Sequence, residues 1–219
     1  MNVQELKATA EKVVKNVDHF AKAERFIAAV LTLTPLVLFL TDTCPSTQGH
    51  FRTSISNYVF MPHSYWFGSL LALAGALFIF NGAQHMSAQQ EKIKEIKEAK
   101  SRFGKGYNII FGVALFGVIY FDHIHYNWLH YIFAGTFFVG CALAMILTED
   151  KNLNNLGTIL GSLTLLALTV YFIITCIYGE DNHWYTLLWA EWIGLFFIAI
   201  YFIVESHQRD RKEEAANLY

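Results

Sequence analysis

Charge is what this sequence has little of. Asp, Glu, Lys and Arg make up 16 % of its 219 residues, against about 25 % in a soluble domain. The deficit is uneven: charge is missing from six long apolar stretches and dense between them. With 54 % hydrophobic residues, this pattern excludes both a disordered chain and an ordinary soluble enzyme. Cysteine is scarce too. Three in the whole chain exclude a disulfide-rich secreted module. A surplus of positive charge is absent, the net charge being −2, which removes the electrostatic footprint of a nucleic-acid binder. No Cys-x-x-Cys, phosphate loop or Ser-centred nucleophile elbow occurs. What is left is a polytopic membrane protein.

A bilayer core of about 30 Å needs about 20 apolar residues per helix. The runs 26–41, 64–84, 107–121, 128–147, 156–178 and 184–204 meet or approach that length. They are continuous rather than alternating, so they predict helices and not the strands of a barrel. The expected fold is therefore all-α, a bundle of six transmembrane helices. Thr34-Pro35 should kink the first span. Gly68, Ala72, Gly75, Gly157 and Gly161 offer close helix contact.

Orientation follows from Lys and Arg. With six spans, all 16 of them except Arg52 fall on one side. That side reads as cytoplasmic, with both termini on it, and a multi-pass protein of a bacterial cytoplasmic (inner) membrane fits. Residues 1–25 place Val3, Leu6, Ala10, Val13, Val17 and Phe20 near helical spacing, which suits a helix on the inner leaflet or one packed on the cytoplasmic loops. The transmembrane domain is then 26–206. Residues 87–103 form a cytoplasmic helix whose lysines meet anionic lipid headgroups. Residues 207–219 form a polar tail. Membrane lipids are the expected partners, with a protein partner or a second copy as further readings.

The opposite face collects imidazoles and acids: His50, His63, His123, His125, His130 and His183 with Asp42, Asp122, Glu180 and Asp181. Glu191 lies inside the sixth span, and His130 opens the fourth at similar depth. An ionisable group at membrane depth usually faces the bundle interior and has a partner, so His130 and Glu191 are expected to pair. Three readings stand side by side. One is a metal site, most plausibly Zn²⁺, from His123, His125, His130, His63 and His183, with Glu191 or Asp122 as catalytic base on a metal-bound water. Another is a proton-responsive site, because His titrates near pH 6.5. The third is structural, a hydrogen bond that fixes helix packing. Cys44 and Cys176 lie on this face and would bridge in an oxidising compartment. Trp66, Trp128 and Trp184 mark its membrane boundary.

Several short motifs carry a resemblance. They are Ser54-Ile55-Ser56-Asn57-Tyr58, Phe67-Gly68, Phe80-Asn81-Gly82, Leu129-His130-Tyr131, Phe137-Phe138, and Trp189-Ala190-Glu191 followed by Gly194. Their order over about 50–206 resembles uncharacterised bacterial six-helix membrane proteins, similar in layout to the DRAM-like families. The resemblance implies a six-helix bundle and no established activity. Membrane-embedded zinc hydrolases of the ceramidase and adiponectin-receptor type are a more distant likeness, through Ser54, Ser56, Asp122 and His130, although this chain lacks a late His-x-x-x-His. The function expected first is a sensor or accessory subunit with a His/acid site facing outward. A zinc-dependent hydrolase acting on a lipid-like substrate comes second, and a proton-linked transporter third.

Overall fold

The computed structural model describes residues 3–47, 49–95, 104–148, 152–179 and 184–217, with the backbone alone for 3–21, 87–95, 104–105 and 212–217. Six α-helices and no strand occur among the described residues: α1 (Val3–Thr41), α2 (Tyr65–Glu95), α3 (Asn108–Tyr120), α4 (Asn127–Ile146), α5 (Asn154–Tyr178) and α6 (Leu187–Asn217). Segments of five, all but α3, are long and apolar enough to cross a bilayer. The expected third span is the exception. At 13 residues α3 rises about 20 Å at 1.5 Å per residue, because the Gly104–Tyr107 3-10 turn precedes it and Phe121-Asp122 ends it.

Successive helices pack as neighbours, and α6 returns to lie along α1, so the bundle is a closed ring. Neighbours run in opposite directions. Gly75 on α2 meets Gly112 on α3, Gly117 on α3 meets Phe133 on α4, and Gly161 on α5 meets α4. The close approaches need glycine. A methyl group at Gly161 would lie 2.5 Å from the Ala142 carbonyl oxygen, and one at Gly112 would collide with the Gly75 carbonyl. Gly68, also expected at a contact, has open space beside it.

Helix runs through both of the expected domain boundaries. The expected break between a surface helix and a span at 25/26 is not marked, since α1 is continuous through Val3–Thr41. The stretch Phe20–Ala29 has neither Gly nor Pro to stop it. Its amphipathic stripe at 3–20 involves side chains outside the described residues. Likewise the polar tail from 207 is helix as far as Asn217, a continuation that Lys, Glu and Ala favour. Of the 87–103 helix, α2 includes the part up to Glu95, and 96–103 lie outside the described residues.

The core is aromatic at mid-bundle. Phe78 is fully buried and sits edge-on to Phe137 at 5.5 Å, Phe202 at 5.4 Å and Phe111 at 6.5 Å between ring centres. Trp128 and Trp184 are well exposed and Trp66 less so, as residues at a membrane boundary should be. Residues 42–64 cover one end of the ring, the loop end; the basic flanks of the helices, Lys22 to Arg25 and Arg209 to Arg211, lie at the other.

Candidate functional site

The loop end is held by one ion pair. Arg52 is the lone cation that broke the charge asymmetry of the sequence, and it is spoken for. Its Nε donates to Asp42 Oδ2 at 2.7 Å and its Nη2 to Asp42 Oδ1 at 3.3 Å, the forked geometry that a guanidinium favours. The Cys44 amide and the Thr47 hydroxyl complete the shell around Asp42 at 3.0 and 2.9 Å. Burial pushes the Asp42 carboxyl up, but the hydrogen bonds from Arg52, Cys44 and Thr47 outweigh it and hold it below the ordinary carboxylate value. Arg52 also lies over the buried Tyr58 ring.

Thus braced, the loop reaches α6 twice. The Leu188 amide donates to Thr53 O at 2.8 Å, which satisfies a helix N-terminal N–H. The Ile55 amide donates to Glu191 Oε2 at 2.7 Å. Since α6 begins at Leu187, Glu191 lies about 6 Å below the helix end.

Beneath the loop is a cavity of about 50 Å³, room for several waters at about 10–15 Å³ each. Leu31, Phe67, Leu71, Leu115, Phe137 and Leu195 are among its apolar walls. The side chains of Thr34, Ser56, His130 and Glu191 are its polar features. The sequence therefore selected two residues that the fold brings to one cavity. Among the described residues each is bonded to backbone and not to the other. His130 Nδ1 donates to Phe121 O at 2.7 Å, and Glu191 takes its hydrogen bond from Ile55. Among the described residues Glu191 Oε1 accepts no hydrogen bond.

The remaining histidines do not converge. His123 is half-buried, its ring 5.6 Å from that of His130 and 5.4 Å from that of Phe60. His125 is exposed, and its Nδ1 lies 3.0 Å from both oxygens of Asp122. Asp122 also accepts from the amides of His125 and Ile124 at 2.9 and 3.0 Å. The His125 amide bond leads in holding its carboxyl below the usual range. Asp-His-Ile-His is thus an Asx turn, closed on itself. His63 and His50 are exposed. His183, Glu180 and Asp181 lie outside the described residues. Among those described, no three His, Cys, Asp or Glu side chains gather as a metal ion requires. The expected disulfide is also absent: Cys44 and Cys176 are both free, Cys44 Sγ lying 3.1 Å from Ser46 Oγ and Cys176 being exposed on α5.

A second polar site lies at the basic end. Glu24 is fully buried and Glu205 nearly so. Arg209 joins them: its Nη2 lies 2.9 Å from Glu24 Oε1 and donates to Glu205 Oε1 at 2.7 Å. His85 Nε2 is 3.3 Å from the same nitrogen and 3.9 Å from Glu24. One turn deeper, Asn108 Nδ2 donates to Asn81 Oδ1 at 2.7 Å, both residues buried. Arg25 adds an ion pair to Asp210 and donates to Ser206 at 2.8 Å. In the sequence Glu24 and Arg209 each merely border an apolar run. The available signal was Glu205 and Arg209 at i,i+4 on the last span. A cavity of about 20 Å³ adjoins this site, lined in part by Glu205, Asn108, Tyr107, Tyr201 and Cys141.

The two cavities are stacked. On four helices their linings are three or four residues apart: Ala74 and Phe78 on α2, Leu115 and Phe111 on α3, Phe138 and Cys141 on α4, Leu195 and Ile198 on α6. That is about 5 Å of helix rise. The Phe78 cluster fills the interval.

Comparison with known proteins adds a family and no activity. A model of a family of unknown function, DUF7103, matches residues 33–206, and the chain belongs to that family. No curated protein and no solved structure matches it.

Proposed function

For this member of DUF7103 we propose a sensor or accessory role in the membrane, in which a small ligand enters the cavity beneath the 42–64 loop and is read by Glu191. The observation that carries this is the position of the Glu191 carboxylate. It sits in apolar surroundings with one oxygen tied to Ile55 and the other free of hydrogen bonds among the described residues. A buried carboxylate with unmet acceptor capacity favours a ligand that brings a hydrogen bond or a positive charge. The cavity volume of about 50 Å³ limits that ligand to a few heavy atoms, such as a short-chain ammonium. Because Ile55 shares the carboxylate, occupancy is felt by the loop, which is what a sensor needs. Six spans, both termini in the cytoplasm and a bacterial inner membrane belong to the same proposal, supported by the segregation of Lys and Arg.

The test is thermal unfolding of the full chain in detergent with methylammonium chloride, against sodium chloride at equal ionic strength. A saturable rise in Tm that Glu191→Gln abolishes supports the reading. An identical Tm in both salts removes it. The zinc hydrolase is the weaker reading, as its ligands do not gather among the described residues. Metal analysis of the purified protein, with His130→Ala as control, decides it.

A further inference from the structure

We propose that the bundle carries a proton path in two halves, with Phe78 as the gate between them. The upper half is the cavity holding Glu191 and His130, and the lower half is the cavity bordered by Glu205. The proposal shares Glu191 with the ligand reading but does not depend on it. Three observations point the same way. First, the halves are coaxial on four helices and about one helical turn apart. Second, each half ends at a buried carboxyl group, which is costly inside a membrane protein and marks ion or proton routes. Third, the same end of the bundle has acceptors and donors still to satisfy. Glu24 Oε2, Gln84 Oε1 and Asn81 Nδ2 are buried without hydrogen bonds among the described residues. Such groups are met by internal water.

Size selects the ion. Cavities of about 50 and 20 Å³ accept a few waters but not a metal cation with its hydration shell. Protons need only a chain of waters and titratable groups. The groups facing the upper carboxyl are His130 on α4, with His123 behind it. Those facing the lower pair are Glu24 on α1, His85 on α2 and Arg209 on α6. A proton from the loop side adds to Glu191 Oε1 to give the neutral acid. When the Phe78 ring turns aside, water joins the cavities and the proton passes to the carboxylate of Glu205 or Glu24. Glu191 is left as carboxylate, and His85 hands the proton on to the basic end. One proton crosses and no bond other than O–H and N–H is made or broken.

The experiment uses the full chain in liposomes that enclose pyranine and potassium. Valinomycin then sets an interior-negative potential, and internal acidification is followed. Wild-type vesicles acidify several-fold faster than protein-free ones, Glu191→Gln slows the protein-dependent rate at least tenfold, and Phe78→Ala raises it at least tenfold. Monodispersity on gel filtration confirms folding, and Phe78→Leu replaces Phe78→Ala if the latter fails that check. Wild-type vesicles no faster than protein-free ones, or Glu191→Gln as fast as wild type, overturn the path. An unchanged rate in the Phe78 variant overturns the gate. None of these outcomes bears on the methylammonium shift, so the two readings fail separately.

Discussion

Ile55 and Glu191, 136 positions apart, are joined by a 2.7 Å hydrogen bond from the Ile55 amide to Glu191 Oε2. This bond makes the loop the roof of the upper cavity. The Leu188–Thr53 bond and the ring contacts of Phe51 with Trp189 and Trp192 also hold the loop to α6.

Ile55→Pro removes the donor and leaves Glu191 buried without its partner. A loss of about 1–3 kcal/mol is expected. Chemical denaturation in detergent reads the loss, and hydrogen exchange should place it in residues 52–61. Unchanged exchange there would separate the roof from Glu191.

The Asp42–Arg52 pair sets an acid limit on the loop. The Asp42 carboxyl lies below its ordinary value in the folded protein. Its stabilising contribution is therefore complete above the unfolded value and is lost as pH falls through the folded one. Proteolysis of the loop should be constant from pH 7 to about 5 and rise sharply below about pH 4. Arg52→Gln should be cut readily at every pH in that range.

At the opposite end, Arg209→Ala removes a guanidinium shared by two buried carboxylates. A loss of about 3–5 kcal/mol is expected for breaking a buried ionic group from one side. Replacing Glu24, Glu205 and Arg209 together by Leu should recover most of it. If the single change is as mild as a surface substitution, the cluster is solvated.

Gly161→Val places a branched side chain against the α4 carbonyl that already limits the approach of α5. Backbone cannot give way as a side chain does, so about 1–3 kcal/mol is lost. The midpoint of thermal aggregation in detergent should fall accordingly.

Topology is open to direct labelling. In a cysteine-free background, single cysteines in place of His125 and Arg102 should react with a membrane-impermeant maleimide from opposite sides. Reaction from a shared side would reduce the number of crossings between them and place α3 within one leaflet.

Much of this was written in the pattern of apolar runs. Helical class and the places of the six helices among the described residues follow from run length and interruption, both local properties. Glu191 and His130 were legible for the same reason: a charge inside an apolar run is conspicuous. Glu24 and Arg209 were not, because each borders a run, where lysine and arginine anchor nearly every membrane protein. Nothing local reveals that α1 and α6 lie side by side and draw those two charges inward. The Asp122–His125 turn misled in the reverse direction. Metal-binding residue types at close spacing were satisfied by the backbone of their own loop.

The partnership of α1 with α6 has a consequence for biosynthesis. During synthesis α1 must wait for α6 before Glu24 meets the Arg209 guanidinium. A chain that still lacks α6 therefore leaves Glu24 without that guanidinium, which sets an incomplete copy apart from a finished one.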